Sequence, residues 1–287
     1  MNTITYSSYR DEHISYSHAV RSGQQRDDYA PHSHEICELL FIKRGDMSYT
    51  VDGRRYMLRA NNLVFSRPFD IHSIDVEGEE DYERYNILFD EKLLPFDLYE
   101  KLPKKLDVIS FDGNQSVINL FDKMDFYCDK LSGAELGRML THLTEEVFFN
   151  ILIESATACA DAYTQTNTLV CAAIAYIEEH LLTVGSIDEI CRELYITKSH
   201  LHHLFMKHLQ ISPKKYITAK RLALAKREIH SGGKPTEVCA ACGFSDYSAF
   251  WRAYTSHFGC KPSEKYDSEH AFITVGRAAI ERSAQKK

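Results

Sequence analysis

Three histidines and one glutamate near the start of the chain have the types and the spacing of metal ligands. His32, His34 and Glu38 are separated by even numbers of residues, so on a regular β-strand their side chains would project from one face. His72 completes the set if it lies on a neighbouring strand. Three imidazoles and a carboxylate suit Zn, Fe, Mn or Ni, and an open coordination position would permit catalysis. The alternative is that these residues are elements of the fold or polar walls of a small-molecule pocket.

One helical unit occurs twice between Ser186 and Phe258. Each copy has a short helical pattern, a turn and a longer helical pattern, at 186–194, 195–197 and 198–209 and again at 235–242, 243–245 and 246–258. Glu189 corresponds to Glu237 at an offset of 48 residues, whereas Phe205 corresponds to Tyr254 at 49, so the second turn is longer. A short helix, a tight turn and a longer helix place a helix in a DNA major groove. The copies, 186–209 and 235–258, therefore predict that one chain reads two grooves.

Helical periodicity divides each longer helix into an inner and an outer face. The predicted inner faces are Leu201, Leu204, Phe205 and His208 in the first copy, and Phe250, Ala253, Tyr254 and His257 in the second. The predicted outer faces are Ser199, His202, His203 and Met206, and Tyr247, Ser248, Trp251, Arg252 and Thr255. The outer faces are the candidate DNA-reading surfaces.

A basic helical segment connects the two copies, from Ser212 to Ile229. It contains Lys214, Lys215, Lys220, Arg221, Lys226 and Arg227. At about 1.5 Å per residue, a helix of roughly 18 residues is about 27 Å long. That length is compatible with the roughly 34 Å between successive major-groove faces on one side of B-DNA, because the two units also have width. Lys215 is predicted to contact a phosphate, and Lys207 in the first reading helix is a further predicted DNA-binding residue.

Four segments of this region resemble the C-terminal DNA-binding domain of AraC/XylS-type transcriptional regulators. They are Ile211–Ile217, Arg221–Ala225, Cys242–Phe250 and Phe258–Tyr266. The resemblance implies groove-facing residues at Ser199, His202, His203, Tyr247, Ser248, Trp251 and Arg252, in agreement with the periodicity. One departure matters. Histidines occupy positions in the first reading helix where long basic side chains are common in the family, so the family's base specificity does not carry over.

The earlier part of the chain has the pattern of a β-domain. Apolar and aromatic runs such as Ile36–Ile42 and Met47–Val51 are short and separated by turns, which predicts a small barrel or sandwich. The segment Pro31–Glu38, followed by Gly45 and later by Pro68–Ser73, resembles a cupin. The resemblance implies a sensor for a small-molecule effector, because AraC-type regulators often carry such a domain.

After Asp90 the apolar pattern becomes helical. Apolar residues recur near every 3.6 residues over 117–131 and 136–152, which predicts two helices broken at 132–133. These helices either form the dimer interface that the resemblance implies or pack within the chain. The predicted fold class is multi-domain α and β, with an N-terminal cupin-like β-barrel, following helices and an all-α tandem helix-turn-helix domain. The predicted bounds are 1–110 for the β-domain, 111–160 for the helical segment, 161–168 for a linker, 169–270 for the DNA-binding domain and 271–287 for a tail.

The charge of the chain is unevenly distributed. The 34 basic and 41 acidic residues give a net charge of −7. From Leu169 to the end, 17 basic residues against 12 acidic ones give +5, and the preceding part, with 17 against 29, gives −12. The basic part carries the repeated unit. This pattern indicates nucleic-acid binding that is confined to one domain.

The cysteines and the apolar runs indicate where the protein works. Eight cysteines are scattered without a disulfide framework, as expected in a reducing compartment. Cys239 and Cys242 have CxxC spacing, but no second pair follows them, so we expect buried thiols. No apolar run reaches the length of a membrane span, and the first residues lack the pattern of a signal peptide. The expected location is the cytoplasm, without a membrane partner.

Two functional hypotheses follow from these patterns. The first is an effector-responsive regulator without catalytic residues that binds double-stranded promoter DNA as a homodimer. By resemblance it would be an activator that contacts RNA polymerase. The second is a metal-dependent cupin enzyme with an appended helical domain, in which turnover depends on His34. The enzyme hypothesis leaves the two repeated helical units unexplained, so the regulator is favoured.

Overall fold

A computed structural model of the protein describes residues 2–22, 31–77, 81–95, 98–99, 101–103, 106–157, 164–165 and 167–264. The described part of the chain divides into two compact units, one of residues 2–51 and 55–164 and one of residues 52–54 and 165–264. Part of the predicted linker, 161–168, and all of the predicted tail, 271–287, lie outside the described residues. Among the helices that the structure describes, none is both long enough and apolar enough to cross a membrane.

The first unit is built on two β-sheets. Its strands are β1 Asn2–Arg10, β2 Ile14–Ser22, β3 Cys37–Arg44, β4 Asp46–Val51, β5 Arg54–Leu58, β6 Asn62–Ser66, β7 His72–Glu77, β8 Tyr82–Phe89, β9 Val108–Ser110 and β10 Thr164–Gln165. They form a six-stranded sheet in the order β1-β2-β8-β3-β6-β9 and a four-stranded sheet in the order β10-β5-β4-β7. The pairs β1–β2, β2–β8, β3–β8 and β4–β7 are antiparallel. The two sheets confirm the predicted cupin-like β-fold.

The two faces of β3 belong to different cores, because successive side chains on a strand point to opposite sides. Leu40 and Ile42 lie in the core between the two sheets, with Tyr49 from β4. Leu39 and Phe41 point to the other side and pack against helices. The strand is therefore buried on both faces, which explains why its sequence is a continuous apolar run.

Two helices, α1 at Gln115–Lys130 and α2 at Gly133–Thr157, pack against the outer face of the six-stranded sheet. The side chain of Asn114 caps α1 by accepting a hydrogen bond from the backbone N–H of Val117. The ring of Phe121 stacks on that of Phe41 with centroids 4.3 Å apart. The large apolar side chains that α1 and α2 leave exposed are Phe126, Phe149 and Ile153.

The second unit is helical in its described part. Its helices are α3 Thr168–Glu179, α4 Ile187–Glu193, α5 Lys198–Leu209, α6 Pro213–His230, α7 Pro235–Ala241 and α8 Tyr247–Phe258. The rings of Phe205 on α5 and Tyr216 on α6 meet at 5.8 Å, and the Nζ of Lys226 on α6 lies 4.4 Å above the ring of Phe258 on α8. The connecting helix α6 therefore packs against both longer helices, which confirms the all-α class.

The helix starts are capped by polar side chains. Thr197 accepts a hydrogen bond from the backbone of His200 at the start of α5. At the start of α8 the two carboxylate oxygens of Asp246 accept hydrogen bonds from the backbone N–H groups of Ser248 and Ala249.

Candidate functional site

Helix α5 presents the first predicted reading face. Its buried side chains are Leu201, Leu204, Phe205 and Leu209. Ser199, His202, His203, Met206 and Lys207 are exposed. His208, which was predicted to lie on the inner face, is only partly buried. Leu209 is buried on that face instead. The predicted DNA-contacting residues of this helix thus all lie on accessible surface.

Helix α8 presents the second predicted face. Its buried side chains are Phe250, Tyr254 and Phe258. The predicted contact residues Tyr247, Ser248, Trp251 and Arg252 are exposed, and Trp251 has 38% of its surface accessible. His257 is exposed and Ala253 is half-buried, so the inner face is completed by Phe258 instead. The only tryptophan of the chain is therefore available to a ligand.

Fewer cations of α6 are free than the sequence predicts. Lys214 and Lys215 are exposed, including the residue expected to contact phosphate. Arg221 instead donates hydrogen bonds of 2.7 Å to the carbonyl oxygens of Leu181 and Val184, and its partial burial lowers its pKa. Lys226 is buried over an aromatic ring. Arg221 and Lys226 of the basic helix therefore make contacts within the second unit and are not available to a ligand in the way that Lys214 and Lys215 are.

Two cysteines of the second unit, which have CxxC spacing in the sequence, pack in its interior. Cys239 and Cys242 are buried free thiols, as expected. Burial raises the pKa of both. A thiol that stays protonated is a poor metal ligand and a poor nucleophile, so this pair provides no second site.

Three histidines of the first unit, His32, His34 and His72, lie close together beside the loop that precedes β3. β3 begins at Cys37, so the expectation that His32, His34 and Glu38 share one strand is wrong. His32 instead pairs with His72 through two backbone hydrogen bonds of 3.0 and 2.9 Å. The ligand nitrogens of the three histidines all lie within 4.8 Å of one another. The structure therefore brings the predicted residues together. It does so through an antiparallel β-bridge between His32, in the loop before β3, and His72 on β7.

Glu38 closes the cluster from β3. Its Oε2 lies 3.3 Å from Nε2 of His34 and 3.2 Å from Nε2 of His72. Burial alone would raise the pKa of Glu38, but the contacts with these two histidines outweigh it and hold that pKa well below its usual range. Asn86 on β8 donates a hydrogen bond to Oε1 of Glu38. Asn86 was not predicted, because only the pairing of β3 with β8 brings it close.

The proton positions of the cluster suit a bound cation. Nδ1 of His34 lies 2.7 Å from the carbonyl oxygen of Ile36, and Nδ1 of His72 lies 2.9 Å from that of Asp70. A carbonyl oxygen can only accept, so each Nδ1 carries a proton, and Nε2, which lies against Glu38, is the ring nitrogen at which a cation would replace a proton. Nε2 of His72 is buried and forms no well-directed hydrogen bond within the described part of the chain. Metal-binding histidines are commonly oriented in this way, so these residues fit a divalent ion.

A β-domain with a polar site, together with a helical domain that exposes the outer faces of α5 and α8, is the arrangement of a ligand-responsive DNA-binding regulator. The family models agree with this class. The AraC-like ligand binding domain matches residues 16–105, and the helix-turn-helix domain matches residues 190–266. The chain belongs to the AraC family of transcriptional regulators. This family is not enzymatic, so the alternative of a cupin enzyme is wrong.

Several known proteins are similar to this chain. The HTH-type transcriptional activator RhaS of Escherichia fergusonii is 21% identical over 82% of this chain and 87% of its own length. The probable transcriptional regulator LumQ of Photobacterium leiognathi is 36% identical over 31% of this chain and 36% of its own. Among solved structures, ToxT from Vibrio cholerae covers 92% of this chain and 98% of its own, at 12% identity and a TM-score of 0.37. The AraC-like transcriptional activator CuxR covers 77% and 80%, at 16% identity and a TM-score of 0.39.

Proposed function

We propose that this regulator reads two adjacent major grooves with one subunit, using α5 for one groove and α8 for the next. The observation that carries the proposal is the accessibility of both outer faces, including His203 on α5 and Trp251 on α8. Both faces carry groups that can contact base edges, with imidazoles on α5 and a guanidinium and an indole ring on α8. The basic charge of this part of the chain supports a nucleic-acid ligand.

The exposed residues divide into base readers and phosphate contacts. Arg252 is the candidate for bidentate contact with guanine, and Trp251 or Tyr247 for a thymine methyl group or a sugar. Ser199, His202, His203 and Ser248 line the same faces. Lys207 and Lys215 are assigned to phosphates, which position the protein without reading sequence.

The first unit is proposed to bind the effector. The AraC-like ligand binding domain implies a small molecule, and the cluster of His32, His34, Glu38 and His72 is proposed to hold one divalent ion of Zn, Fe, Mn or Ni. When bound, such an ion supplies a positive centre for an oxygen or nitrogen atom of the effector. Effector binding would shift the population of arrangements in which two subunits occupy neighbouring half-sites.

We further propose an activator that works as a homodimer in the cytoplasm and contacts RNA polymerase at its promoter. Relatives that carry the name of an activator at about one-fifth identity support the direction of regulation. The exposed Phe126, Phe149 and Ile153 of α1 and α2 support an interface between two copies. We propose residues 111–160 as the dimerisation segment, between the β-domain of 1–110 and the DNA-binding domain of 169–270.

Selection of DNA from a random-sequence pool by the full-length protein tests the proposal. A regulator of this kind should enrich one motif with two conserved elements. The matched control is a protein with Trp251→Ala and Arg252→Ala, which should enrich only the element read by α5. Failure of the full-length protein to enrich any motif, with and without added Zn, Fe, Mn or Ni salts, would contradict the proposal.

A further inference from the structure

The turn between β4 and β5 belongs to the second compact unit, although both strands belong to the first. The turn residues Asp52–Arg54 group with 165–264 rather than with the strands that flank them. Asp52 has a positive φ of 41°, a conformation that non-glycine residues seldom adopt. Only 4% of its surface is exposed. A buried carboxylate at the tip of a hairpin requires a partner, because charged side chains are seldom buried unless they are paired.

Asp52 is paired with two side chains of the connecting helix α6. Its Oδ1 accepts a hydrogen bond of 3.1 Å from the hydroxyl of Tyr216, and its Oδ2 lies 3.0 Å from Nζ of Lys220. The contact is costly to break, because a buried charge would be left without its partner. The ring of Tyr216 also packs against that of Phe205 on the reading helix α5, with centroids 5.8 Å apart. A displacement of Asp52 therefore acts on α6 and, through Tyr216, on α5.

Val51, which precedes Asp52, is paired with a residue of the proposed ion site. β4 and β7 are antiparallel, and their register places Val51 opposite His72. Directly opposite side chains share one face of a sheet, with Cβ atoms about 4.5–5.5 Å apart. Both residues are buried, and the ring centroid of His72 also lies 6.0 Å from that of Tyr49 on β4. The position of His72 is therefore tied to the end of β4 that leads into Asp52.

The proposed ion site connects His72 to the other sheet. Glu38 lies on β3 of the six-stranded sheet, whereas His72 lies on β7 of the four-stranded sheet. Oε2 of Glu38 is 3.2 Å from Nε2 of His72. A divalent ion bound by both residues would hold the two sheets together more firmly than the contact between the side chains does, because ion binding adds to the stability of the fold that forms the site. Restricting β7 in this way also restricts β4 and the turn that follows it.

We propose that the β4–β5 turn transmits occupancy of the ion site to the reading helices, so that Zn²⁺ binding orders α6 and raises DNA affinity. His72 acts on Val51 through strand pairing, and Val51 acts on Asp52 through the chain. The carboxylate of Asp52 then acts on Tyr216 and Lys220 of α6. An ordered α6 lowers the entropy cost of fixing the reading helices in DNA, which is the physical reason for the higher affinity. The inference rests on the proposed function, which supplies both the ion site and the DNA.

Hydrogen exchange of the full-length protein, with and without bound Zn²⁺, tests this path. In the wild type, Zn²⁺ should slow exchange by about fivefold in β7, in β4 and in α6 around Tyr216. Asp52→Gly removes the carboxylate, and glycine adopts a positive φ without strain. This variant should bind Zn²⁺ as the wild type does and keep the slowing in β7, but lose it in α6. Asn61→Gly is the matched control, because Asn61 has φ +65° and donates a side-chain hydrogen bond to Asp112. It should keep both effects.

Fluorescence anisotropy with the DNA that the protein selects from a random pool measures the consequence for binding. Zn²⁺ should lower the dissociation constant of the wild type by about fivefold. Asp52→Gly should lack this gain, and Tyr216→Phe, which loses only the hydroxyl group, should show a smaller one. Slowed α6 exchange in Asp52→Gly, or an equal dissociation constant with and without Zn²⁺ in the wild type, would overturn the inference and leave the ion site and DNA binding intact. Failure to bind Zn²⁺ or to select DNA would instead overturn the proposed function, and this inference with it.

Discussion

Gly243, in the turn between α7 and α8, lies directly against the carbonyl oxygen of Leu182, which follows α3. A Cβ atom on Gly243 would come within 2.7 Å of that oxygen and within 2.9 Å of the Arg221 guanidinium. Arg221 in turn donates a hydrogen bond to the neighbouring carbonyl of Leu181. The turn of the second helix-turn-helix unit thus adjoins both the segment that follows α3 and the Arg221 side chain of α6.

Gly243→Ala should destabilise the DNA-binding domain. The backbone at Gly243 has φ +80°, a conformation that costs an alanine about 1–2 kcal/mol. The collision with the carbonyl of Leu182 adds a further cost of about 1–3 kcal/mol. Chemical denaturation followed by the fluorescence of Trp251, which lies in the same domain, measures the free energy of unfolding.

Gly232→Ala is the matched control for this substitution. Gly232 also has a positive φ, +98°, but a Cβ there meets nothing within 4 Å. Gly232→Ala should therefore be destabilised only by the conformational cost of a positive φ. Equal destabilisation by the two substitutions would show that the contact with Leu182 has no energetic weight.

Arg252→Ala should relax base selectivity. Loss of a bidentate contact with guanine is expected to weaken binding by about 1–3 kcal/mol and to remove the preference at one base pair. The measurement compares dissociation constants on the selected DNA and on single-base variants of it. A uniform loss on every sequence would assign Arg252 to a phosphate instead.

Lys215→Ala should change the salt dependence rather than the sequence preference. An exposed lysine that contacts one phosphate contributes about one unit to the slope of log affinity against log salt concentration. Binding titrations over a range of salt concentrations measure this slope. Lys130→Ala, an exposed lysine of α1, is the control and should leave the slope unchanged. An unaltered slope in Lys215→Ala would remove that residue from the interface.

The sequence predicted the inner faces of the reading helices except at their last turns. Leu201 and Phe205 follow from a period of 3.6 residues, but Leu209 and Phe258 are buried where His208 and His257 were expected. The burial of Lys226 could not be predicted, since it depends on the ring of Phe258, which lies far along the chain. Local spacing cannot describe such a contact.

The histidine cluster was predicted with the right members and the wrong geometry. Even spacing placed His32 and His34 on a strand, whereas the strand starts only at Cys37. A bridge between His32 and His72 brings the side chains together instead. Asn86 donates a hydrogen bond to Glu38, but nothing in its sequence neighbourhood predicts this contact. The two residues become neighbours only through the pairing of β3 with β8.

His72→Ala should abolish tight binding of one divalent ion. The substitution removes a buried Nε2 that faces Glu38, and binding requires neutral imidazoles, so affinity should fall with acidification. The contact with Glu38 raises the pKa of His72, against the effect of burial, which moves this loss toward neutral pH. Equilibrium dialysis with Zn²⁺, followed by elemental analysis, measures the stoichiometry. His142→Ala on α2 is the control, and equal loss there would indicate adventitious binding.

Asp125→Asn should reduce the acid sensitivity of α1. Burial would raise the pKa of Asp125, but hydrogen bonds from His18, Ser7 and Tyr16 lower it overall. A lowered pKa in the folded state stabilises the fold above the unfolded value of about 3.9, and this stabilisation is lost as the pH falls through the folded value. The α1 amides of the variant should therefore be less protected from hydrogen exchange near neutral pH. Their protection should also fall less on further acidification.

Hydrogen exchange of the α1 amides over a range of acidic pH measures this effect. Asp129→Asn, an exposed residue of the same helix, should behave as the wild type. An unchanged exchange profile in Asp125→Asn would mean that the contact between Nδ1 of His18 and Oδ2 of Asp125, 2.7 Å long, does not hold α1 on the sheet.

If one subunit reads two successive major grooves, it should protect guanine N7 from methylation in both, because that atom lies in the major groove. On the selected DNA, each subunit should protect two patches whose centres are about 10 base pairs apart. Protein with Trp251→Ala and Arg252→Ala should lose the patch of α8 and keep the patch of α5. A single patch per subunit in the wild type, or the loss of both patches together in the variant, would mean that one subunit does not read two grooves with α5 and α8.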